Sequence, residues 1–325
     1  MLLSGDIGGT NTRLALYEYK KPLTLIKENR FLSSSYSTLL SAIHDFLKDE
    51  KTQIEAASFG VAGPVKDGKC QTTNIPWFID IFEIKKDLKI EKAYLLNDLE
   101  ANAYGIECLK EKEFLILNEG EDVKANACIV AAGTGLGEAG MYFDGKRLKP
   151  FACEGGHTDF APQNDLEIEL LKFLQKKHGH VSYERVLTGS GIYNLYEFLV
   201  ENGHEPKDEQ LDEELKNHVE PQVIITKKGM NKENKTCERV LDWFSSIYGA
   251  EAGNAALKFF ALGGVYIGGG IAPRILDKLE TGNFMKAFAD KGRFSSLMMS
   301  MPVKVILNDR AALLGASNFA LLNKD

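Results

Sequence analysis

A mixed α/β fold in two halves is what this 325-residue sequence predicts, and three observations carry that reading. Short strand-like runs alternate with helical patterns, which points to mixed sheets joined by crossover helices. The length suits about two domains, and a 44% hydrophobic composition is enough to fill their cores. The halves also open alike. Both "DIGGTNTRLAL" and "AAGTGLGEAGMY" set a Gly/Thr loop between apolar strands, a hint of duplication although few identities are shared.

Taken in order, strand-like runs fall at residues 1–3, 13–19, 54–61 and 92–96, with a helical pattern over 36–48. The order strand, strand, helix, strand, helix implies a mixed sheet. A second series starts at 114–117, and residues 128–145 read as two strands around a Gly-rich turn. From about 165 to 262 the chain turns helical and more charged, and residues 201–235 are polar enough for a solvated excursion with loops. "ALGGVYIGGGIAPRIL" then reads as strand, Gly-rich loop and helix, before a last strand at 303–307 and a small-residue helix from Arg310. The charged "LKEKE" stretch marks the boundary. The expected division is a small α/β domain over 1–111, completed by the C-terminal helix at about 305–325, and a large α/β domain over 112–304.

A formal charge of −7, with no long Lys/Arg run, argues against nucleic acid as a partner. No apolar stretch reaches the roughly 18 to 20 residues of a membrane span, and the first residues lack a signal-peptide pattern, so a cytoplasmic protein is expected. Cys70, Cys108, Cys128, Cys153 and Cys237 are scattered and odd in number, which suggests reduced thiols and neither a disulfide framework nor a zinc site.

Three Gly-rich loops are the first functional candidates: Gly8 to Thr10, Gly133 to Gly137 and Gly268 to Gly270. Adjacent glycines let backbone N–H groups converge on an anion, and hydroxyl or amide neighbours add donors, so phosphate is a natural guest. Asp6 would repel a bare phosphate but could hold a hydrated magnesium beside it. An ordinary tight turn explains any one of these loops equally well. Three together suit a nucleotide, two clamping its phosphates and the third giving the nucleoside close backbone approach.

In "AYLLNDLEANAYGI", Asn97 and Asp98 follow an apolar strand and open a helix. Asp98 suits a helix N-cap. It also suits a general base that accepts a hydroxyl proton as that oxygen attacks a γ-phosphate, with Asn97 orienting the same hydroxyl. The stretch "CEGGHTDFAP" offers Glu154, His157 and Asp159, too few local ligands for a metal but well suited to a sugar, whose hydroxyls donate to carboxylates and accept from N–H groups. Glu184 could add a second carboxylate, or simply pair with Arg185 or Lys177 at the surface. His44, His178, His180, His204 and His218 sit among charged residues and read as surface side chains.

Eight motifs in order, "GDIGGTNTRLAL", "GVAGPV", "TNIPW", "LLNDLEANAYGI", "AAGTGLGEAG", "CEGGHTDFAP", "YERVLTGSGI" and "YIGGGIAPRI", run essentially end to end. By these the chain resembles the bacterial-type glucokinases of the actin-like, sugar-kinase ATPase superfamily. The resemblance implies two ribonuclease-H-like domains with a cleft between them, and ATP-dependent phosphorylation of the glucose 6-hydroxyl. It implies Asp98 as catalytic base, with Asn74, Asn97, Asp98, Glu154, His157 and Glu184 binding the sugar. It further implies that Gly5, Asp6, Ile7, Gly8, Gly9, Thr10, Asn11, Gly133, Thr134 and Gly135 surround the ATP phosphates, that Asp6 sits near Mg2+, and that Gly269 and Gly270 border the adenosine. A homodimer is also implied. The related repressor and sugar-kinase branch carries a cysteine-rich zinc motif after its sugar-binding histidine; here Phe160, Ala161 and Pro162 follow His157 and Thr158, which favours the zinc-free branch. A kinase for another hexose or amino sugar, a non-catalytic sugar-binding regulator and an actin-like assembly ATPase are the alternatives.

Overall fold

The computed structural model describes residues 1–72 and 75–324. It divides into two compact units, one formed by Met1–Glu113, Pro150–Ala152 and Asn308–Asp325, the other by Phe114–Lys149 and Cys153–Leu307.

The first unit is built on a five-stranded sheet. Its strands are β1 (Leu2–Ile7), β2 (Asn11–Tyr17), β3 (Leu25–Leu32) and β4 (Ala56–Val61), followed by a small hairpin of β5 (Lys69–Gln71) and β6 (Phe78–Asp80), and β7 (Lys92–Asn97). The sheet order is β3-β2-β1-β4-β7, antiparallel from β3 to β1 and parallel from β1 to β7. Apolar runs place β1 and β4 at the centre, where every residue of β4 is buried, as strands covered on both faces require. Between them, α1 (Leu39–Leu47) starts at a capping box of Thr38 and Ser41 and buries Leu39, Ala42, Ile43 and Phe46. Two further helices, α2 (Ile81–Leu88) and α3 (Asp98–Ile106), flank β7.

The C-terminal helix, Ala311–Leu322, completes this unit. Its apolar residues Leu313 and Ala320 join Leu2, Ala15 and Ala56 in one cluster, and the Ser4 hydroxyl donates to Leu313 O at 2.9 Å. Against α3 the contact is backbone to backbone. A Cβ at Gly315 would stand 1.7 Å from Ala101 O, and one at Gly105 would stand 2.0 Å from Ala311 O. Only glycine permits that approach. Gly315→Ala is therefore expected to destabilise the protein by about 1–3 kcal/mol or more, read as a thermal unfolding midpoint lowered by several degrees; an unchanged midpoint would refute the close packing.

The second unit repeats the plan. Strands β8 (Phe114–Asn118), β9 (Ala127–Ala132), β10 (Leu136–Phe143), β11 (Leu148–Cys153, of which Pro150–Ala152 group with the first unit), β12 (Gly264–Gly268) and β13 (Val303–Ile306) form a sheet in the order β11-β10-β9-β12-β13-β8. The antiparallel β9–β10 pair and the parallel β9–β12–β13 run match β1–β2 and β1–β4–β7, with β8 added antiparallel at the edge. The hinted duplication is thus present in topology. Helices α4 (Asp165–His178), α5 (Gly189–Glu201), α6 (Glu209–Lys216), α7 (Pro221–Met230) and α8 (Lys235–Phe259) follow, and α8 runs through the core, burying Val240, Leu241, Phe244 and Tyr248.

Within the helical stretch, the polar excursion at residues 201–235 contains α6 and α7 beside its loops, because Leu211 and Leu215 on one and Ile224 and Ile225 on the other bury an apolar face. The strand β3 was absent from the sequence reading: "LIKENRFL" is largely exposed and lacks a sharp apolar alternation. Among the described residues, no helix is long and apolar enough to cross a membrane.

Candidate active site

In the first unit the sheet register brings two of the expected groups to one edge. Ile7 on β1 pairs with Val61 on β4, and Val61 pairs with Asn97 on β7. The first glycine loop and the Asn97–Asp98 pair therefore emerge from the carboxyl ends of parallel strands on either side of β4, two strand spacings or roughly 10 Å apart. In open α/β sheets that edge is where ligands bind.

Asn11 and Thr12 open β2, so Gly8, Gly9 and Thr10 form a short hairpin turn, closed by Gly8 N donating to Asn11 O at 3.0 Å. The turn is braced from outside, since the Ser33 hydroxyl donates to Gly8 O at 2.8 Å and Ser33 N to Thr10 O at 3.0 Å. Just before it, Asp6 is half-buried. Burial pushes its carboxyl up to about 6, while Arg13 and Arg30 oppose the shift and Asp309 adds to it. A divalent cation there would restore the charged form. Magnesium binds through one or two carboxylates together with phosphate oxygens and water, so a lone Asp6 fits it. Among the described residues there is no cluster of three or more His, Cys, Asp or Glu that could hold a metal.

At the end of β7 the capping role belongs to Asn97, not Asp98. The Asn97 Oδ1 accepts from Leu99 N at 2.9 Å and Glu100 N at 3.4 Å, and its Nδ2 donates to Gly63 O at 3.2 Å. Asp98 is the first helical residue and half-buried, with Oδ1 accepting from Leu99 N at 3.0 Å. Gly60 lets the start of α3 come close to β4, since a Cβ there would meet Ala101 Cβ at 2.7 Å. Asn74 lies outside the described residues.

The second unit gathers the remaining sugar candidates. A turn of 3-10 helix, Gly155–His157, carries His157 beside Glu154, and a second such turn, Tyr183–Arg185, carries Glu184. His157 Nε2 lies 3.9 Å from Glu154 Oε2, and its Nδ1 lies 4.0 Å from Glu184 Oε1. These separations exceed hydrogen-bond length, which leaves the facing atoms able to serve hydroxyl groups. Glu184 also reaches the glycine loop: its Oε2 accepts from Leu136 N at 3.0 Å. The surface pairing with Arg185 or Lys177 is not what forms, and Lys177 pairs with Glu197. Asp159 is taken by His180 at 2.8 Å.

The loop of Gly133, Thr134 and Gly135 is closed by Gly133 N donating to Gly135 O at 2.9 Å, and its neighbour is the Gly269–Gly270 turn. A Cβ at Gly133 would lie 3.9 Å from Gly270 N. Gly269 has φ +81°, and a Cβ there would stand 2.2 Å from Ala132 O, so both conformation and space demand glycine. Beneath both loops sits the buried hydroxyl of Tyr248, 2.9 Å from Val130 O and 3.2 Å from Gly268 O, which accepts from Ala132 N at 3.2 Å. It ties the ends of β9 and β12 together.

The sequence reading missed Tyr248, the Leu136 N–H and a buried carboxylate, Glu138. Glu138 left a signal: it is an acid within the otherwise apolar strand "LGEAGMYF", where a charge needs a partner.

The glucokinase family model matches residues 3–323. The glucokinase of Nostoc sp. (strain PCC 7120) is 38% identical over 334 residues, covering 98% of this chain and 98% of that protein. The glucokinase of Photorhabdus laumondii is 37% identical, covering 98% and 96%. The crystal structure of a glucokinase from an Antarctic psychrotroph superposes with a TM-score of 0.86 at 30% identity, covering 99% of this chain and 98% of that one. With a family model spanning nearly every residue and relatives of this identity over their full length, the chain belongs to the glucokinase family.

Proposed function

We propose that this protein transfers the γ-phosphoryl group of ATP to the 6-hydroxyl of glucose, the first step of glycolysis, in the cytoplasm and as a homodimer. The observation that carries the reading is the gathering of Glu154, His157 and Glu184, with Glu184 also bound to the 133–136 loop, in a chain of the glucokinase family. Carboxylates and an imidazole with hydrogen-bonding capacity to spare suit a ligand rich in hydroxyls. Glycine loops at the carboxyl ends of parallel strands suit phosphates.

In this reading Asn97, Asp98, Glu154, His157 and Glu184 hold the sugar hydroxyls, and Asn74 adds a further contact. Backbone N–H groups of Gly8, Gly9, Thr10, Gly133, Thr134 and Gly135 cradle the phosphates, and Gly269 and Gly270 border the adenosine. Asp6, together with the phosphates, would hold magnesium, which when bound would supply positive charge beside the transferring group. The sugar O6 attacks the γ-phosphorus, the bond from that phosphorus to the ADP oxygen breaks, and the O6 proton passes to the Asp98 carboxylate.

The test is phosphoryl transfer from ATP with magnesium to glucose, mannose, fructose, N-acetylglucosamine and N-acetylmannosamine, beside a control without sugar. Strong preference for glucose with little background hydrolysis is expected. Transfer to another sugar alone would reassign the substrate, and sugar binding without transfer would make the protein a regulator. Glu154→Ala is expected to raise the glucose KM, by about 1–3 kcal/mol in binding for a lost bond to a charged group, with the ATP KM little changed. An unaltered glucose KM would remove Glu154 from the site.

A further inference from the structure

Behind the turns that carry Glu154, His157 and Glu184 lies a pair of carboxyl groups that the proposed chemistry does not use. Glu138 on β10 and Glu251 on α8 are 2% and 0% exposed. The two carboxyls are near enough for each to act on the other's charge, and among the described residues Oε1 of each is buried without a hydrogen-bond partner. Two ionised carboxylates cannot sit so close without solvent, whereas one protonated and one ionised group make a hydrogen bond.

We propose that Glu138 and Glu251 share one proton and that this bond is the support on which the sugar-binding turns rest, so that losing the proton loosens the sugar site. The proposal depends on the sugar reading of Glu154, His157 and Glu184 given above. A Cβ at Gly155 would lie 2.0 Å from Glu138 Oε2, so that carboxyl packs on the backbone between Glu154 and His157. On the other side, Asn254 Nδ2 donates both to Glu251 Oε2 at 2.9 Å and to the hydroxyl of Tyr183, the residue before Glu184, at 3.0 Å.

The surrounding charges allow one negative charge, not two. Lys258 Nζ lies 3.7 Å from Glu251 Oε1, while the half-buried Lys291 amine, held lower by desolvation, donates to Ala250 O. The thiols of Cys128 and Cys153 and the phenols of Tyr183 and Tyr248 also face the pair, and burial pushes all four upward, which keeps them neutral. Burial first, then the neighbouring Glu251, holds Glu138 well above the usual carboxylate range, and burial raises Glu251 as well. The stability from a raised acid is full only below the ordinary carboxylate range and is gone once pH passes the folded-state value, but the proton itself stays on the folded protein until that value is reached. Sugar affinity is therefore retained at neutral pH and falls on the alkaline side.

The experiment measures the glucose Kd from mildly acidic to mildly alkaline pH for the unaltered protein and for Glu138→Gln, whose amide donates to Glu251 without a proton to lose. The unaltered protein should bind glucose several-fold more weakly at alkaline pH, and Glu138→Gln should stay flat. Parallel profiles with glucose binding intact overturn the proposal alone, while no glucose binding at any pH overturns the sugar site and this proposal together. Infrared spectroscopy of the unaltered protein needs no variant: a protonated carboxylic-acid C=O band at neutral pH that bleaches on raising pH is expected, and its absence overturns the shared proton.

Discussion

Asp98→Asn is expected to lower kcat by about two to four orders of magnitude, the usual contribution of a positioned general base, while glucose affinity stays within a few-fold. The substitution is nearly isosteric. An amide oxygen can still accept from Leu99 N, the bond that the Asp98 Oδ1 makes at 3.0 Å. The cap of α3 is supplied by Asn97, through Leu99 N and Glu100 N, so the helix start does not depend on the Asp98 charge. What the variant loses is the ability to take the O6 proton. Steady-state kinetics with a thermal unfolding control checks this, since kcat should fall without a shift in the midpoint. Turnover near that of the unaltered protein would remove Asp98 as the base.

Glu184→Ala should have the second largest effect because Glu184 serves two parts of the site. Its Oε2 holds the N–H of Leu136 at the end of the glycine loop, while Oε1 stands 4.0 Å from His157 Nδ1. Removing the side chain leaves that N–H without its acceptor and takes a carboxylate from the sugar. A hydrogen bond to a charged group contributes about 1.5–3 kcal/mol, so kcat/KM for glucose should fall by about 10- to 150-fold. Both the glucose and the ATP KM should rise, in contrast to Glu154→Ala, where the glucose KM moves. Glu184→Gln keeps a carbonyl acceptor for Leu136 N and should recover part of the loss. An effect confined to glucose would show that the contact with the loop is incidental.

Much of this was legible in the sequence. Central strands such as Ala56–Val61 and Ala127–Ala132 are short apolar runs bounded by turn residues, and they fold as read. The Gly-rich turn before Leu136 likewise separates the two strands expected there. Leu25–Leu32 was hidden because an exposed edge strand needs no apolar face. Its place is set by pairing with β2 and by Glu28, whose carboxylate meets Arg13 at 3.7 Å and Arg310 at 3.2 Å. The helix Glu209–Lys216 was hidden by its charge density; the i, i+4 pair Leu211 and Leu215 was the signal to follow.

At the site, residue types suggested the chemistry but not the connections. Asn97 and Asp98 both suit a cap, and only the backbone geometry assigns it to Asn97. Glu184 has Arg185 beside it in sequence, but its bond to Leu136 N spans 48 positions, a separation no local pattern encodes. Tyr248 is equally remote from the strands it joins.

The most direct measurement is phosphorus and proton NMR of the products formed from equimolar ATP and glucose with magnesium. The account predicts ADP and a single sugar phosphomonoester in equal amounts, with phosphorus coupled to the two protons on carbon 6 of glucose. Inorganic phosphate released without any sugar phosphate, or phosphate on a different hydroxyl, would contradict it.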